Sequence, residues 1–399
     1  MIRLFSFILF TLTLIYQSLQ AATIIVISNK DNNDIGTLRT VLTNAGDGDT
    51  INFNLSGDLA ARTIRLNAHL PIIDKNLTIN GANIGGKEVI INGNNTHPGF
   101  FVKGGNVTIL NLTLDDCISK GGPGGSATYG GGGGMGAGGG VFVNNVATVT
   151  LTNITFTECG ANGGTGGNGV REGAAGGGGG LGGAGSVSGI LSRGGGGGGL
   201  YANADGKNGG GTEGGDGQTS IPVTPAQNGG AFGGGGGTNI NFAGSAAGVG
   251  GFAGGGGGAI AIKGGDGGTG GGGGSSDILG GNGGKFYDNF GGGKGGIATQ
   301  GPSEEPRVGG GGGAGVGGAV FVREGGDLTF DSDIENNQSV KFGRGGTGKS
   351  NGANGSADGP GIYIMQNTII TLSTSGTKRI SAKISGQEGV ISGQGGVIK

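Results

Sequence analysis

The stretches VTILNLTLDDC (residues 107–117) and VTLTNITFTEC (residues 149–159) match position by position, at an offset of 149 − 107 = 42. In both, apolar residues alternate with Thr or Asn, the two-residue period of a strand with one buried face. An aromatic run precedes each copy, FFV at 100–102 and VFV at 141–143. The pair returns downstream, where VFV (320–322) leads to LTF (328–330) and IYI (362–364) leads to ITL (370–372), at the same offset (370 − 328 = 42). One such unit cannot bury its apolar face alone, so the units must stack. Short strands returning at a fixed period do this by coiling.

The fold expected is therefore all-β, a right-handed, single-stranded parallel β-helix of the pectate-lyase type. Its coils would lie ~4.8 Å apart. Phe100 over Phe142, and Ile109 over Leu151, are expected inside, while Thr108, Thr150, Thr329 and Thr371 form an outward ladder that suits the pleat. So long a coil is needed only if it carries an excursion, and the Gly-rich tracts after Cys117 and Cys159 provide one.

Upstream, LTIN and VIIN (77–80 and 89–92) read as two more short strands, each ending in an Asn-Gly turn. Before them, Thr37 to Ala45 carries helix marks: Thr37 as N-cap, Leu38, Val41 and Leu42 on one face, Gly46 as stop. That helix and strands near 23–26 and 50–53 are assigned to a cap over the open end of the coils. The divisions expected are a signal peptide over 1–22, a cap over 23–74, coils over 75–160, a Gly-rich insertion over 161–316, and further coils over 317–399 that continue beyond this sequence.

The signal peptide rests on Arg3, the apolar run from Leu4 to Tyr16 and the small residues up to Ala22. Of the 399 residues, 112 are Gly and the formal net charge is −2, which offers nucleic acid no electrostatic footprint. The glycines come in runs, not every third residue, which excludes collagen. Between Gly160 and Gly318 the repeat dissolves into Gly runs broken by short apolar groups at Leu200, Phe232, Ile260 and Phe286. Such composition reads as loop extruded from degenerate coils. A sharper alternative is a bundle of polyproline-II helices, which chains without Cβ can pack closely.

The export signal, DIGTLRTVL (34–42), NLTINGANIGG (76–86) and coils opening with GGGVFV and GGAVFV resemble the polymorphic outer membrane proteins and autotransporter passengers of Gram-negative bacteria. GGA[ILV] stands at 257–260 and 317–320, FxxN at 142–145 and 286–289, and residues 384–399 resemble the segment by which such passengers approach their translocation region. The resemblance implies a secreted protein at the outer membrane surface or beyond it. It also implies anchoring by a barrel outside this sequence or by a separate transporter, and contact with host or surface macromolecules, protein or glycan, through exposed loops.

Chemistry is sparse. GRGGTGKS (343–350) fits a phosphate loop letter for letter, but NGANGSADGPG follows, which is hostile to the helix that such a loop feeds. It is read as a turn between coils, and no nucleotide is expected. His69 and His97 lie outside metal-ligand spacing and are placed in loops or the cap, and GGDGG at 264–268 does not continue into a calcium-binding series. Neither a cofactor nor a metal is expected. The register brings Asp116 over Glu158, beside Asp115, and Cys117 over Cys159, close enough for a disulfide or for a stacked pair of thiols. The function expected is non-catalytic adhesion. The alternative, a secreted polysaccharide lyase or hydrolase, needs those carboxylates to line a groove.

Overall fold

The computed structural model describes residues 21–394 apart from 83–85, 171–173, 188–192, 212, 221–222, 240–245, 261–262, 299–306, 374–377 and 387–389. The expected signal peptide lies outside the described residues except at Ala21 and Ala22. The two matching stretches are bent strands, Phe100–Asp115 and Val141–Thr157, that run parallel with Val107 beside Val149 and Leu114 beside Phe156. Strand after strand joins them in one large, parallel sheet of 13 strands, and the architecture is almost entirely β outside the glycine runs. Inward residues fall into files, one of which runs Ile51, Ile79, Ile109, Leu151, Phe330, all at most 2% exposed. Each such side chain contributes about 1.5–3 kcal/mol by leaving water.

The outward Thr ladder is longer than expected: Thr23, Thr50, Thr78, Thr108, Thr150, Thr329 and Thr371 stand in one register. At the next corner Asn111 donates to Asn80 Oδ1 (2.9 Å) and Asn153 to Asn111 Oδ1 (3.0 Å). Asn111 and Asn153 turn the chain at φ +58° and +53°, a conformation that Asn tolerates better than most residues.

Three expectations change. Phe100 pairs with Val141, and it is Phe101 that lies beside Phe142, because the later strand carries one extra residue in a bulge between Val102 and Gly104. The offset between the strands is therefore 142 − 101 = 41 before the bulge and 149 − 107 = 42 after it. Phe100 joins the main core, but Phe142 points the other way. Second, strands Thr23–Val26 and Asp49–Phe53, expected in a cap, are the first rungs of the same stack. The helix is present as expected: Leu38–Asn44, with Thr37 Oγ1 accepting from Thr40 N and Leu38, Val41 and Leu42 in the main core.

The third change is the glycine runs, which form a packed bundle. Segment 130–136 shows its logic. Gly130, Gly133 and Gly136 donate to Val308, Gly311 and Ala314. Gly131 and Gly134 donate to Gly125 and Gly122, and Gly132 and Met135 to Gly256 and Ala253, all at 2.7–3.0 Å. Each neighbour is met every third residue and no bond is internal, which is the repeat of a polyproline-II helix with partners on three sides. Glycine is required because the backbones nearly touch: a Cβ at Gly132 would lie 1.9 Å from Gly272 O.

Each of three successive rungs sends one arm out into this bundle and takes one back. The outgoing arms bond in series, Gly121 to Asn162 O and Gly163 to Lys341 O; so do the returning ones, Gly133 to Gly311 O and Gly312 to Ala353 O. The middle rung carries the remaining segments between its two arms.

Candidate binding surfaces

The bundle is fastened to the rungs by aromatic residues. Phe101, Phe142, Phe321 and Tyr363 form a file on the outer side of the stack, with successive ring centroids 4.5, 5.0 and 6.0 Å apart. Phe232 from a turn of the bundle meets Phe101 and Phe142 edge-on at 5.3 and 5.8 Å, and Phe286 meets Tyr363 at 5.1 Å. Arg323 lies 4.0 Å over the Phe252 ring and donates to Asn144 Oδ1 at 3.0 Å. The apolar groups at Leu200, Phe232 and Phe286, expected in degenerate coils, are thus the turns that dock the bundle. Ile260 packs at a separate small cluster with Tyr129, Ala175 and Val308.

GRGGTGKS is an outgoing arm, not a turn between coils. Gly343 and Gly346 donate to Gly313 O (2.8 Å) and Gly310 O (2.7 Å), Gly348 to Asn351 Oδ1 (3.0 Å), and Lys349 to Arg307 O (2.8 Å). The amides of Gly343, Gly346 and Lys349 are thus engaged by carbonyls of a neighbouring segment and that of Gly348 by its own loop, so these four do not form the convergent cradle of a phosphate loop.

On another corner Asp116 and Glu158 turn consecutive rungs, both at φ +51°. Asp116 N donates to Thr157 O (3.0 Å) and Glu158 N to Asn337 Oδ1 (3.2 Å). Asn92 Nδ2 bridges Asp115 Oδ2 (2.5 Å) and Asp116 Oδ2 (3.2 Å), while Asp116 Oδ1 is buried without a partner. The Asp116 charge, and then a hydrogen bond with it, raises the pKa of solvent-exposed Glu158. Burial raises Asp115, against the Asn92 bond that lowers it.

This corner opens onto a polar cleft of about 390 Å³ lined by Asn95, Lys120, Glu158, Asn162, Asn337 and Lys341. Parallel pairing sets Asn162 between Lys120 and Lys341 in one register, and Asn162 Oδ1 has no partner. Two ammonium groups and a carboxylate can hydrogen-bond a polyhydroxylated or peptide ligand. Among the described residues no group of three or more His, Cys, Asp or Glu could hold a metal ion.

Cys117 and Cys159 come together as the register implies. They are free, fully buried thiols: Cys117 Sγ faces Asp115 O (3.4 Å) and Cys159 Sγ faces Leu114 O (3.3 Å). A hydrogen bond between the thiols and then burial raise the pKa of Cys117, which disfavours thiolate. Of the two forms the register allowed, the structure holds the stacked thiols.

His69 and His97, read from the sequence only as loop or cap residues outside metal-ligand spacing, meet at 5.1 Å, edge to face, and Tyr201 from the bundle stacks on His69 at 3.9 Å. The signal was their offset, 97 − 69 = 28, which equals that of the rung from Thr50 to Thr78, 78 − 50 = 28. No protein-family model matches the chain, and neither a curated protein nor a solved structure matches it.

Proposed function

We propose that the chain is an exported, non-catalytic passenger of the polymorphic outer membrane and autotransporter kind. In this reading the rung stack is a right-handed parallel β-helix that presents a polyglycine bundle at a cell surface, where it adheres to host or surface macromolecules. The observation that carries the reading is the bundle itself. Glycine runs would serve as slack linker if their amides faced water, but here the amides bond one another and the turns are anchored on an aromatic file. Such a body holds loops at fixed positions, as binding scaffolds do. The polar cleft beside Glu158 adds a second contact surface of glycan-like chemistry.

The test is retention of fluorescently labelled protein on arrays of cell-surface glycans and matrix proteins. A Gly132→Val variant, in which the side chain strikes the Gly272 carbonyl, should keep the rung stack and lose retention. Equal retention of both proteins, or retention of neither, would rule the reading out.

A further inference from the structure

His69, His97 and Tyr201 come from three different parts of the molecule: the loop after Thr63–Arg65, the turn before Phe100 and the first turns of the bundle. The Tyr201 ring is stacked on His69 within 11° of parallel and meets Phe101 edge-on at 6.0 Å. Tyr201 also holds φ +55°, a conformation costly for a large residue and one that the docked ring maintains. Its amide donates to Leu181 O (2.8 Å), and Gly183 donates to Gly199 O (3.1 Å), so this seat fixes two neighbouring turns of the bundle.

The surroundings suit neutral imidazoles only. Nδ1 of His69 and Nδ1 of His97 are both buried without a partner, so a proton added there would meet no acceptor. Arg39 donates to His69 O (2.6 Å), and its charge faces both rings; Lys120 faces His97. The carboxylate that acts on His97, Asp31, is already engaged by Arg39 Nε and Nη2 (2.9 and 2.8 Å) and by the amides of Asn67 and Ala68. Tyr201 is held neutral by burial.

We propose that His69 and His97 form an acid-released latch: as neutral rings they seat Tyr201 and hold the first turns of the bundle on the rung stack, and protonation unseats it. Burial first, then His97 and Arg39, push the pKa of His69 down to about 4; burial lowers His97 as well, with Asp31 opposing. A depressed histidine pKa means that the docked form binds fewer protons than the free one. Docking is complete above the ordinary histidine pKa of about 6.5 and weakens as pH falls towards about 4. A charged His69 would gain attraction from the Tyr201 face, but it would do so against His97, Arg39 and lost hydration.

Hydrogen exchange of the full chain at pH 7 and pH 4.5, corrected for intrinsic rates, reads the latch at the amides of Gly183 and Tyr201. Protection should fall by tens-fold at the lower pH, on the order set by a shift from about 6.5 to about 4. In His69→Phe the ring still stacks on Tyr201 but cannot take a proton, and protection should persist at both pH values. Equal protection of the wild type at the two pH values, or the same acid loss in His69→Phe, would overturn the proposal.

Discussion

The rung stack and the polyglycine bundle satisfy their backbones by opposite means. In the stack, ladder bonds run from rung to rung and every second side chain enters the core, so side chains select the register. In the bundle each segment bonds neighbours on three sides, and side chains must be absent for the backbones to meet. Their energetics differ accordingly. A buried Ile or Leu in the stack contributes about 1.5–3 kcal/mol, whereas a glycine loses more conformational freedom than any other residue for a hydrogen bond of net value about 0.5–1.5 kcal/mol. A body built on that margin needs an external anchor, which the file of Phe101, Phe142, Phe321 and Tyr363 provides.

The sharpest way to break this comparison is to remove the centre of the anchor. Phe142 is 1% exposed and touches Phe101, Phe321 and Phe232. Phe142→Ala should cost about 3–5 kcal/mol. In hydrogen exchange the loss should concentrate in the amides of 130–136 and Phe232, while those of 107–114 keep their protection. If both sets lost protection together, stack and bundle would be one cooperative unit and the distinction drawn above would fail.

A smaller change sharpens the claim that glycine in the bundle is there for space. Gly132→Ala should cost about 1–3 kcal/mol, because the carbonyl that its Cβ meets belongs to backbone held on several sides. Gly86 has φ +69° and open space around it, so Gly86→Ala should cost only the backbone strain, about 1–2 kcal/mol. Urea midpoints of the two variants compare close packing with conformational strain.

The same contrast explains what could be read in advance. The rungs were legible because alternation is written in residue types: Val107 to Leu114 shows which face is buried before any coordinate is known. The bulge at Asn144 and Asn145, opposite Lys103, was not, since FFV offers two aromatics and nothing local says which one faces the core. The bundle was legible only as a possibility. Its three-residue repeat is a property of hydrogen bonds, and a run of identical glycines carries no phase. Its anchors, Leu200, Phe232 and Phe286, were visible as interruptions but looked like remnants of coils. At the carboxylate corner the stacking of Asp116 on Glu158 and of Cys117 on Cys159 followed from register alone. The lysines of the cleft did not, because Lys341 reaches Asn162 across the whole inserted bundle.

The corner provides the mildest test, on residues that belong to neither packing scheme. Because Asp116 raises the pKa of Glu158, the folded protein holds that proton more tightly than the unfolded chain does. The sign follows: the pair favours the fold at low pH, and that contribution is lost as pH rises through the raised pKa, leaving two repelling carboxylates at neutrality. Glu158→Gln should therefore raise Tm slightly at pH 7 and leave it unchanged near pH 3, where the Glu158 carboxyl, with its raised pKa, is protonated. Glu158 N keeps its bond to Asn337 in the variant, since the backbone makes it. A Tm that falls at pH 7 would mean that the carboxylate is held by the cleft's lysines more strongly than Asp116 repels it, and the corner would then stabilise the rungs by charge as well as by register.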